Sequence, residues 1–512
     1  MTAMQAISPG WILVLILGYF VMLIGIAWWT SRGSASNENF FLAGRNAPWY
    51  LVAIGMIGAS ISGVTFISVP GFVQANQFSY FQVVIGYIFG YMVIGLILMP
   101  MYYRLNLTSI YGYLEKRFGW KSYKTGSAFF LLSRSVGSAC RLYLVALVLY
   151  QFVFGPLGLP FWLTTLITIF LIWVYTFRGG IKTIVYTDVF QTFFLLASLI
   201  ISVILISKSM GWGPGDLFTN VRESEYSKTL FFDSGWSDNK HFIKQFLGGM
   251  FITIVMTGLD QDLMQKNLSC RNLGDAQKNM FSFTIIMVIA NALFLVLGAL
   301  LFLYAGAKGI EVPTREIAGV MKAQPDLLFP TLALQHFGGI IGIFFILGLT
   351  AANYASADSA LAALTTAFCV DFLGFERDRV AGDRIVKVRT RVHFAFSMIL
   401  FLMVLVLWFM NDRSVIDTVL TLAGYTYGPL LGLYAFGFFV KRQVRDPWVP
   451  WICVASPLIT FILNKYSADL FWGYKFSFEL LILNGLLTFA GLWLVSYPSP
   501  ISPNLLGYKN RV

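Results

Sequence analysis

The chain has 512 residues, of which 57% are hydrophobic and only 12% are charged, and its mean hydropathy is +0.73. Because a soluble protein carries about a quarter charged residues, the composition predicts an all-α polytopic membrane protein. The formal net charge of +12 does not indicate nucleic-acid binding, since the basic residues occupy alternate loops between apolar runs, as membrane topology requires. We therefore expect the lipid bilayer, and no nucleic acid, among the partners of the chain.

Thirteen apolar runs follow one another along the chain, and a membrane-spanning helix needs roughly 20 such residues. By the positive-inside rule, the basic loops place the N-terminus outside and the C-terminus in the cytoplasm. The absence of an organelle signal indicates a multi-pass protein of a cell membrane, most simply a bacterial inner membrane. The runs lie near 11–30, 48–75, 80–103, 125–153, 160–177, 185–207, 241–265, 279–307, 331–370, 393–411, 415–440, 447–464 and 475–496.

Two of these runs are interrupted by small and polar residues. The second run reads AIGMIGASISGVTFISVPG over 53–71, and the seventh reads FITIVMTGLDQDLMQ over 251–265. Each opens a group of five spans, and an odd number of spans inverts the second group relative to the first. Broken helices at matching positions of two inverted halves are typical of the central binding site of a transporter.

The runs predict a single transmembrane domain over 1–512. It comprises an extra helix at 11–30, a first inverted repeat at 48–207, a second at 241–440, and two extra helices within 447–496. Every predicted loop is shorter than about 35 residues, which is too short for a soluble folded domain. No nucleophile–base or metal constellation indicates an enzyme. The 16 residues after 496 leave little room for the signalling domain of a transporter-like sensor.

Polar side chains also lie inside the ninth run, AANYASADSALAALTTAF over 351–368. Small residues there leave room for an ion, and hydroxyl and carbonyl oxygens can replace the water around an alkali cation. Asp358 in this run could instead form a structural ion pair. Asp188, which begins the sixth run, could be either a functional carboxylate or a helix cap.

Two arginines in the fourth run lie seven residues apart and therefore share a helix face. Arg134 and Arg141 could bind the carboxylate of an anionic substrate. They could equally neutralise the buried acids Asp188, Asp260 and Asp358. The sequence leaves both interpretations open.

Four segments of the chain resemble the sodium/solute symporter family, which includes sodium-coupled sugar, sialic acid and proline transporters. The resemblance covers nearly the whole chain. It implies thirteen transmembrane helices with a LeuT-like core of five plus five inverted helices. It also implies secondary active import by alternating access, with Na⁺ as the coupling ion and no organic cofactor. The segments are GASISGVTF (58–66), RGGIKTIVYTDVFQ (178–191), GLDQDLMQKNLSCRN (258–272) and ASADSALAALTT (355–366).

The resemblance also implies two groups of sodium ligands. The first combines backbone carbonyls of Gly58, Ile61 and Ala352 with two hydroxyl positions, which here are Ala355 and Ser356. Alanine at 355 departs from the serine that is usual in the family and removes one ligand. A second site, present in some members, would correspond to Asp188, Asp358 and Ser359.

The solute site of the family lies beside the broken helices. In this chain, the hydroxyls and amides of that region suit a sugar or polyol, and an arginine there suits a sialic-acid-like carboxylate. A proton-coupled symporter with Asp188 and Asp358 as carriers remains an alternative, as does a transporter-like membrane sensor. A monomer would suffice for either kind of transport. The expected solute ligands are Ser60, Ser62, Thr65, Phe78, Gln82, Asp260 and Gln261, with Arg134 or Arg141.

Overall fold

The computed structural model describes residues 8–31, 43–317, 320–337, 339–375, 382–410 and 415–498. Nearly all of the regular structure in these ranges is helical. The α-helices are α1 (Pro9–Ser31), α2 (Trp49–Ser60), α3 (Gly63–Asn76), α4 (Tyr80–Val93), α5 (Met99–Arg104), α6 (Gly112–Arg117), α7 (Trp120–Leu149), α8 (Phe161–Ser209), α9 (Pro214–Glu223), α10 (Phe242–Thr253), α11 (Gln261–Leu268), α12 (Leu273–Lys308), α13 (Leu328–Thr331), α14 (Gly339–Ala367), α15 (Gly382–Met410), α16 (Val415–Thr426), α17 (Gly428–Phe439), α18 (Val449–Lys465), α19 (Ser467–Leu470) and α20 (Leu480–Leu494).

Short non-α segments connect or extend these helices. Five π-helical turns occur at Ile94–Leu98, Tyr150–Phe154, Ile254–Gly258, Leu332–His336 and Phe368–Phe372. Three short 3₁₀ helices occur at Ala43–Arg45, Pro325–Leu327 and Asp446–Trp448. Two strand pairs are antiparallel: β1 (Thr314–Ile317) with β2 (Val320–Ala323), and β3 (Arg442–Val444) with β4 (Ser496–Pro498).

Within the described ranges, eight helices are long and apolar enough to cross a membrane, or ten if each of two bent helix pairs is one span. Three shorter apolar helices, Phe161–Thr176, Gly428–Phe439 and Leu480–Leu494, complete the apolar set. The multi-pass helical architecture predicted from composition is therefore confirmed. The number of thirteen spans stays a prediction, since it requires each shorter helix to cross the bilayer as well.

Both predicted helix breaks are confirmed. The axes of α2 and α3 differ by 54°, and those of α10 and α11 by 62°. At the first break, the N–H of Ser62 bonds to the carbonyl of Ser60 at 3.0 Å, instead of the Gly58 carbonyl that it would meet in a continuous helix. At the second, the Asp260 carboxylate accepts from Asp262 N at 2.9 Å and caps α11, as aspartate commonly does at a helix start.

The predicted spans at 160–177 and 185–207 correspond to the apolar segments Phe161–Thr176 and Thr183–Ser209, and both segments lie within the continuous 49-residue helix α8. The residues between them continue the helix and form no loop. Tyr175 bonds to Asp358 of α14, and Ser198 packs on Gly348 of the same helix. Those two contacts are 23 residues apart on α8, or roughly 34 Å, but only ten apart on α14, or roughly 15 Å. Helix α8 must therefore bend between them.

Small residues let α2, α8 and α14 approach one another closely. A methyl group on Gly58 of α2 would lie 2.4 Å from Thr192 Oγ1 of α8 and 3.5 Å from Ala355 Cβ of α14. A methyl group on Gly348 would lie 2.5 Å from Ser198 Cβ. Going from Ser198 back to Thr192, the neighbouring α14 residues advance from 348 to 355, so the second half of α8 runs antiparallel to α14. The first helix break thus lies where the three helices meet.

Candidate functional site

A polar cavity lies beside the first helix break and is bordered by α3, α4, α7 and α10. Its volume is about 100 Å³, enough for several water molecules at roughly 10–15 Å³ each. Most of its polar lining consists of hydroxyl groups, which can hydrogen-bond a solute of either charge. They belong to Ser60, Ser62, Thr65, Tyr80, Tyr87, Tyr91, Thr253 and Thr257.

One charged side chain in the described structure lines this cavity, and it is Arg141 of α7. Its Nη1 donates to Ser356 Oγ of α14 at 3.1 Å. Within the described ranges, no carboxylate oxygen lies within 4 Å of the guanidinium. Arg141 is half-buried, and a partly desolvated cation without a paired acid favours a negatively charged ligand, so the cavity is suited to an anion.

Arg134, on the same face of α7, has a different environment. Its Nη2 forms an ion pair with Asp262 of α11, and its Nη1 lies 3.9 Å from Asp260. Asp260 also accepts from Tyr427, which lies between α16 and α17, at 2.5 Å. The structure therefore separates the two arginines: Arg134 neutralises the acids of the second helix break, and Arg141 faces the cavity.

Two further predicted solute ligands, Gln82 and Phe78, are not among the residues that line the cavity. Gln82 donates to the Lys240 carbonyl at 2.9 Å and accepts from Phe231 N at 2.9 Å, so its amide holds the long loop before α10. Phe78 N donates to the Lys228 carbonyl of the same loop at 3.1 Å. Both residues anchor a connection between helices in this structure, and their role as solute ligands stays a prediction.

Gln261 and Asp260 also lie away from the cavity and brace the second helix break. Gln261 accepts from Ile110 N at 3.0 Å and donates to the Thr108 carbonyl at 2.8 Å. Their polar atoms are thus engaged with the protein itself, and neither residue is among those that line the cavity. Two tyrosines complete this brace: Tyr102 donates to the Gly258 carbonyl and Tyr111 to the Leu259 carbonyl, both at 2.9 Å.

The residues expected to hold the first sodium ion meet at the other break. Gly58 and Ile61 end α2, where the final carbonyls of a helix have no intrahelical donor. Ala355 faces Gly58 across the helix contact, and Ala352 and Ser356 lie on the adjoining turn of α14. All five are buried. Exposed carbonyls, a hydroxyl and a small-residue interface fit an alkali cation, although Ala355 offers no side-chain oxygen.

Thr192 was not among the expected ligands, but it fixes this break. Its hydroxyl accepts from Gly58 N at 3.0 Å and donates to the Ile54 carbonyl at 2.8 Å. The sequence signal was its position on the same helix face as Asp188. A single hydroxyl thus ties the last turn of α2 to α8.

The second predicted sodium group contains an unexpected cation. Lys266 Nζ of α11 lies 2.5 Å from Asp188 Oδ2, with both side chains at most 1% exposed. The predicted run 241–265 ends just before Lys266 and so left it in a loop, whereas the structure places it in the buried helix α11. Its spacing of four residues from Asp262, which puts both on one helix face, could have indicated this.

Asp358 and Ser359 lie close to this ion pair but have partners of their own. Asp358 accepts from the Tyr175 hydroxyl at 2.9 Å, and the Ser359 hydroxyl donates to Asp262. The structure therefore links Asp358 to α8 and Ser359 to the second helix break. Any cation at Asp188, Asp358 and Ser359 would share the space with the Lys266 ammonium.

Comparison with known proteins decides the class of this site. The profile of the sodium:solute symporter family matches residues 40–446, most of the chain. The chain belongs to the sodium:solute symporter family. Its members are transporters and not enzymes, and membership makes Na⁺ the coupling ion and a membrane the location.

Individual relatives of this symporter are distant. The sodium/sialic acid symporter SiaT of Proteus mirabilis is 24% identical over 462 residues, 89% of each protein. The sodium/glucose cotransporter of Vibrio parahaemolyticus is 26% identical over 372 residues, 69% of this chain and 67% of that protein. A substrate-bound, outward-open structure of a Na⁺-coupled sialic acid symporter shares the fold, with a TM-score of 0.78 and 20% identity over 94% of this chain and 97% of that chain.

Proposed function

We propose that this symporter imports a small organic solute that carries an anionic group, together with sodium, by alternating access. The observation that carries the proposal is the Arg141 guanidinium, which lines the polar cavity without a carboxylate partner in the described structure. An arginine presents a rigid fork of donors that matches a carboxylate in two parallel hydrogen bonds. A sialic-acid-like carboxylate, as named for the relative from Proteus mirabilis, fits this chemistry.

The hydroxyls of the cavity would bind the remainder of the solute. Ser60 Oγ is buried and has no hydrogen-bond partner among the described residues, and Ser62 and Thr65 follow it along the break. Such groups can bond the hydroxyls of a sugar or polyol body. A neutral sugar or polyol is therefore the second candidate, favoured by these hydroxyls and disfavoured by the unpaired charge of Arg141.

Sodium is proposed to bind where α2 ends, between the carbonyls of Gly58 and Ile61 and the α14 residues Ala352 and Ser356. An ion there would hold the first broken helix against α14 and favour the substrate-ready state. An inside-negative membrane potential contributes about 2.3 kcal/mol per sodium ion per 100 mV. The second group, Asp188, Asp358 and Ser359, stays a prediction that must accommodate Lys266.

The topology proposed for this mechanism follows from the sequence. Thirteen spans with the N-terminus outside would comprise inverted repeats at 48–207 and 241–440, an extra helix at 11–30 and two more within 447–496. The two bent helix pairs begin the two repeats, which supports this division. Alternating access would then be rocking of one helix group against the other.

Transport currents from proteoliposomes on a solid-supported membrane test the proposal. Sialic acid, neutral hexoses, myo-inositol, proline and short monocarboxylates would each be applied in sodium and in choline. We expect a sodium-dependent current with an acid, and loss of that current in Arg141→Gln. A current with a neutral sugar that Arg141→Gln leaves intact would favour the second candidate. Equal currents in sodium and choline would contradict sodium coupling and favour protons.

A further inference from the structure

We infer that this symporter binds one anionic phospholipid of the cytoplasmic leaflet in an apolar groove on its membrane-facing surface. The groove lies between α4–α5, the end of α10 and α17, and it shares no lining residue with the polar cavity. One acyl chain would lie along the groove, and the phosphate group would meet Arg104 at its end. The inference goes beyond the proposed function, because it concerns neither the solute nor the coupling ion, and it uses only the proposed orientation of the chain.

The groove is large and almost entirely apolar. Its volume is about 550 Å³, compared with about 100 Å³ for the polar cavity, and a ligand pocket has roughly 300–1,000 Å³. Its described walls consist of aliphatic, methionine, phenylalanine and proline side chains, with one tyrosine and one arginine. The hydroxyl of that tyrosine, Tyr434, already donates to the Ile110 carbonyl at 2.9 Å. Such a surface suits a hydrocarbon chain and offers little to a hydrophilic solute.

The groove opens toward the lipid. Leu96, within the apolar span Tyr80–Arg104, is 56% exposed, and Phe439 at the end of α17 is 79% exposed. Both side chains line the groove. Acyl chains are as apolar as leucine, so they can cover such side chains where water would not. A lipid can therefore enter the groove from the hydrocarbon core of the membrane.

The length of the groove matches one leaflet of a bilayer. Val93 and Arg104 both line it, and they are eleven residues apart in the same span, or roughly 16 Å along the helix axis. The hydrocarbon core of a bilayer is about 30 Å thick, so one leaflet contributes about half of that thickness. An acyl chain that begins beside Arg104 would therefore end near the bilayer centre, beside Val93.

Positive charge lies at the cytoplasmic end of the groove. Arg104 is exposed, lines the groove and is the last residue of α5. Lys116 Nζ donates to the carbonyl of Leu105, the next residue, at 3.3 Å. Lys441 is exposed and follows Phe439 by two residues. Basic pockets between membrane helices on the cytoplasmic side bind anionic headgroups, so the charge favours phosphatidylglycerol over a zwitterionic lipid.

The groove also reaches the second helix break. Leu259 lines the groove and directly follows the π-helical turn Ile254–Gly258. That turn packs on the π-helical turn Ile94–Leu98, since a methyl group on Gly258 would lie 2.5 Å from Leu98 Cδ1. Irregular turns of this kind are frequent at functional sites. A lipid in the groove would contact both turns, which connects the surrounding membrane directly to the second break.

Native mass spectrometry of the full-length protein in neutral detergent tests the inference, because it resolves individual bound lipids. Dioleoylphosphatidylglycerol and dioleoylphosphatidylcholine would be titrated separately, since they share acyl chains and differ in headgroup charge. We expect the first phosphatidylglycerol to bind at least about tenfold more tightly than the first phosphatidylcholine. Arg104→Gln should weaken that phosphatidylglycerol by about fivefold, equivalent to ~1 kcal/mol for one basic residue beside an anionic headgroup.

Two further variants separate the headgroup from the acyl chain. Arg445→Gln is the matched control for charge, since Arg445 is exposed in the loop after α17 and is not among the residues that line the groove. Its affinity for phosphatidylglycerol should equal that of the natural protein. Ala435 lines the groove, and a phenyl ring there would occupy the space of the acyl chain. Ala435→Phe should therefore weaken the first binding of both lipids by about tenfold.

Three results would overturn the inference. Equal affinity of the natural protein for the two lipids, or an equal loss in Arg104→Gln and Arg445→Gln, would remove the anionic headgroup from this site. Unchanged lipid binding in Ala435→Phe would remove the acyl chain from the groove. A lipid-free dimer that Ala435→Phe separates into monomers would show that a second copy of this chain covers the groove.

A sodium titration separates this inference from the proposed function. The unfolding temperature of the purified protein would be followed against sodium concentration in detergent, with choline chloride keeping ionic strength constant. Arg104→Gln and Ala435→Phe should retain the natural half-saturating sodium concentration, because the groove lies away from the first helix break. A natural protein without sodium-dependent stabilisation contradicts sodium coupling alone. Lack of a preference for phosphatidylglycerol in a protein that sodium stabilises contradicts the lipid site alone.

Discussion

Arg141 Nη1 donates a hydrogen bond to Ser356 Oγ at 3.1 Å, and this bond joins the polar cavity to the proposed sodium site. A solute anion that binds the Arg141 guanidinium would weaken the hydrogen bond that Ser356 accepts from it. A sodium ion bound at Ser356 would likewise change the position available to Arg141. Since coupling between two binding events is reciprocal, one side chain can make sodium and solute affinities depend on each other.

Arg141→Gln should therefore weaken both ligands. Loss of one partner from a desolvated charge pair costs about 2–5 kcal/mol, so we expect KM for an acidic solute to rise by a factor of at least about 30. The half-saturating sodium concentration should change as well, because Ser356 loses its donor. Uptake of the acid across a range of sodium concentrations would measure both effects.

Arg141→Lys provides the control for charge alone. A lysine keeps the positive charge but not the two-pronged donor geometry, so its KM should lie between those of the natural protein and Arg141→Gln. An unchanged KM for the acid in Arg141→Gln would show that the arginine does not touch the solute.

Arg134→Met should affect folding more than recognition. It removes the partner of Asp262 and the nearest cation of Asp260, and an uncompensated buried charge costs about 3–5 kcal/mol. We expect a marked fall in the unfolding temperature in detergent. Adding Asp262→Asn removes the orphaned charge, and the double variant should recover much of the loss. If Arg134→Met unfolds at the same temperature as the natural protein, the ion pair does not stabilise the fold.

The pair of Lys266 and Asp188 can be tested by neutralising each side. Lys266→Met alone leaves a buried carboxylate without its cation and should lower the unfolding temperature, by the same reasoning as for Arg134. The double variant Lys266→Met with Asp188→Asn should be more stable than Lys266→Met.

The sodium titration of these variants distinguishes a structural ion pair from a second sodium site. If Asp188 only pairs with Lys266, the folded double variant keeps the natural sodium affinity. A rise in the half-saturating sodium concentration in Asp188→Asn with the lysine intact would instead support Asp188 as a sodium ligand.

Gly58→Ala should disturb the first helix break. The added methyl group would lie 2.4 Å from Thr192 Oγ1, and overpacking of this kind costs about 1–3 kcal/mol. We expect a lower unfolding temperature and weaker stabilisation by sodium. Adding Thr192→Ala removes the clashing oxygen and should recover part of the stability.

Gly137→Ala is a matched glycine substitution for this experiment. Gly137 lies within α7, and a methyl group there has no neighbour within 4 Å among the described residues. Replacement of a helical glycine by alanine should raise stability by up to about 1 kcal/mol. If Gly58→Ala behaved like Gly137→Ala, the close approach of α2 and α8 would not matter for stability.

The helix breaks were predictable from sequence because their causes are local. Glycine and hydroxyl residues weaken α2 near its end, and Asp260 caps a new helix at the second break. The roles of Arg134 and Arg141 were not predictable, since both share one face of α7. Their seven-residue separation is roughly 10 Å along the axis, and only the packing shows that acids surround one and the cavity lies beside the other.

Three side chains have long-range partners that the sequence could not reveal. The amides of Gln82 and Gln261 were expected to bind solute because they lie near the broken helices in the sequence. Their hydrogen-bond partners are about 150 residues away in the chain. Lys266 was assigned to a loop because a lysine usually ends a membrane span. In each case the side chain is satisfied by a backbone or acid group that no sequence spacing reveals.

The two helix breaks differ in how firmly they are held. The second is cross-linked by Tyr102, Tyr111 and Gln261, whereas Thr192 supplies the side-chain bond to the end of α2. In the described structure, the second break is therefore held by side chains from more positions than the first. The first break lies beside the proposed ion site, so a single bound ion would add contacts at the less firmly bonded break and leave the second break unchanged.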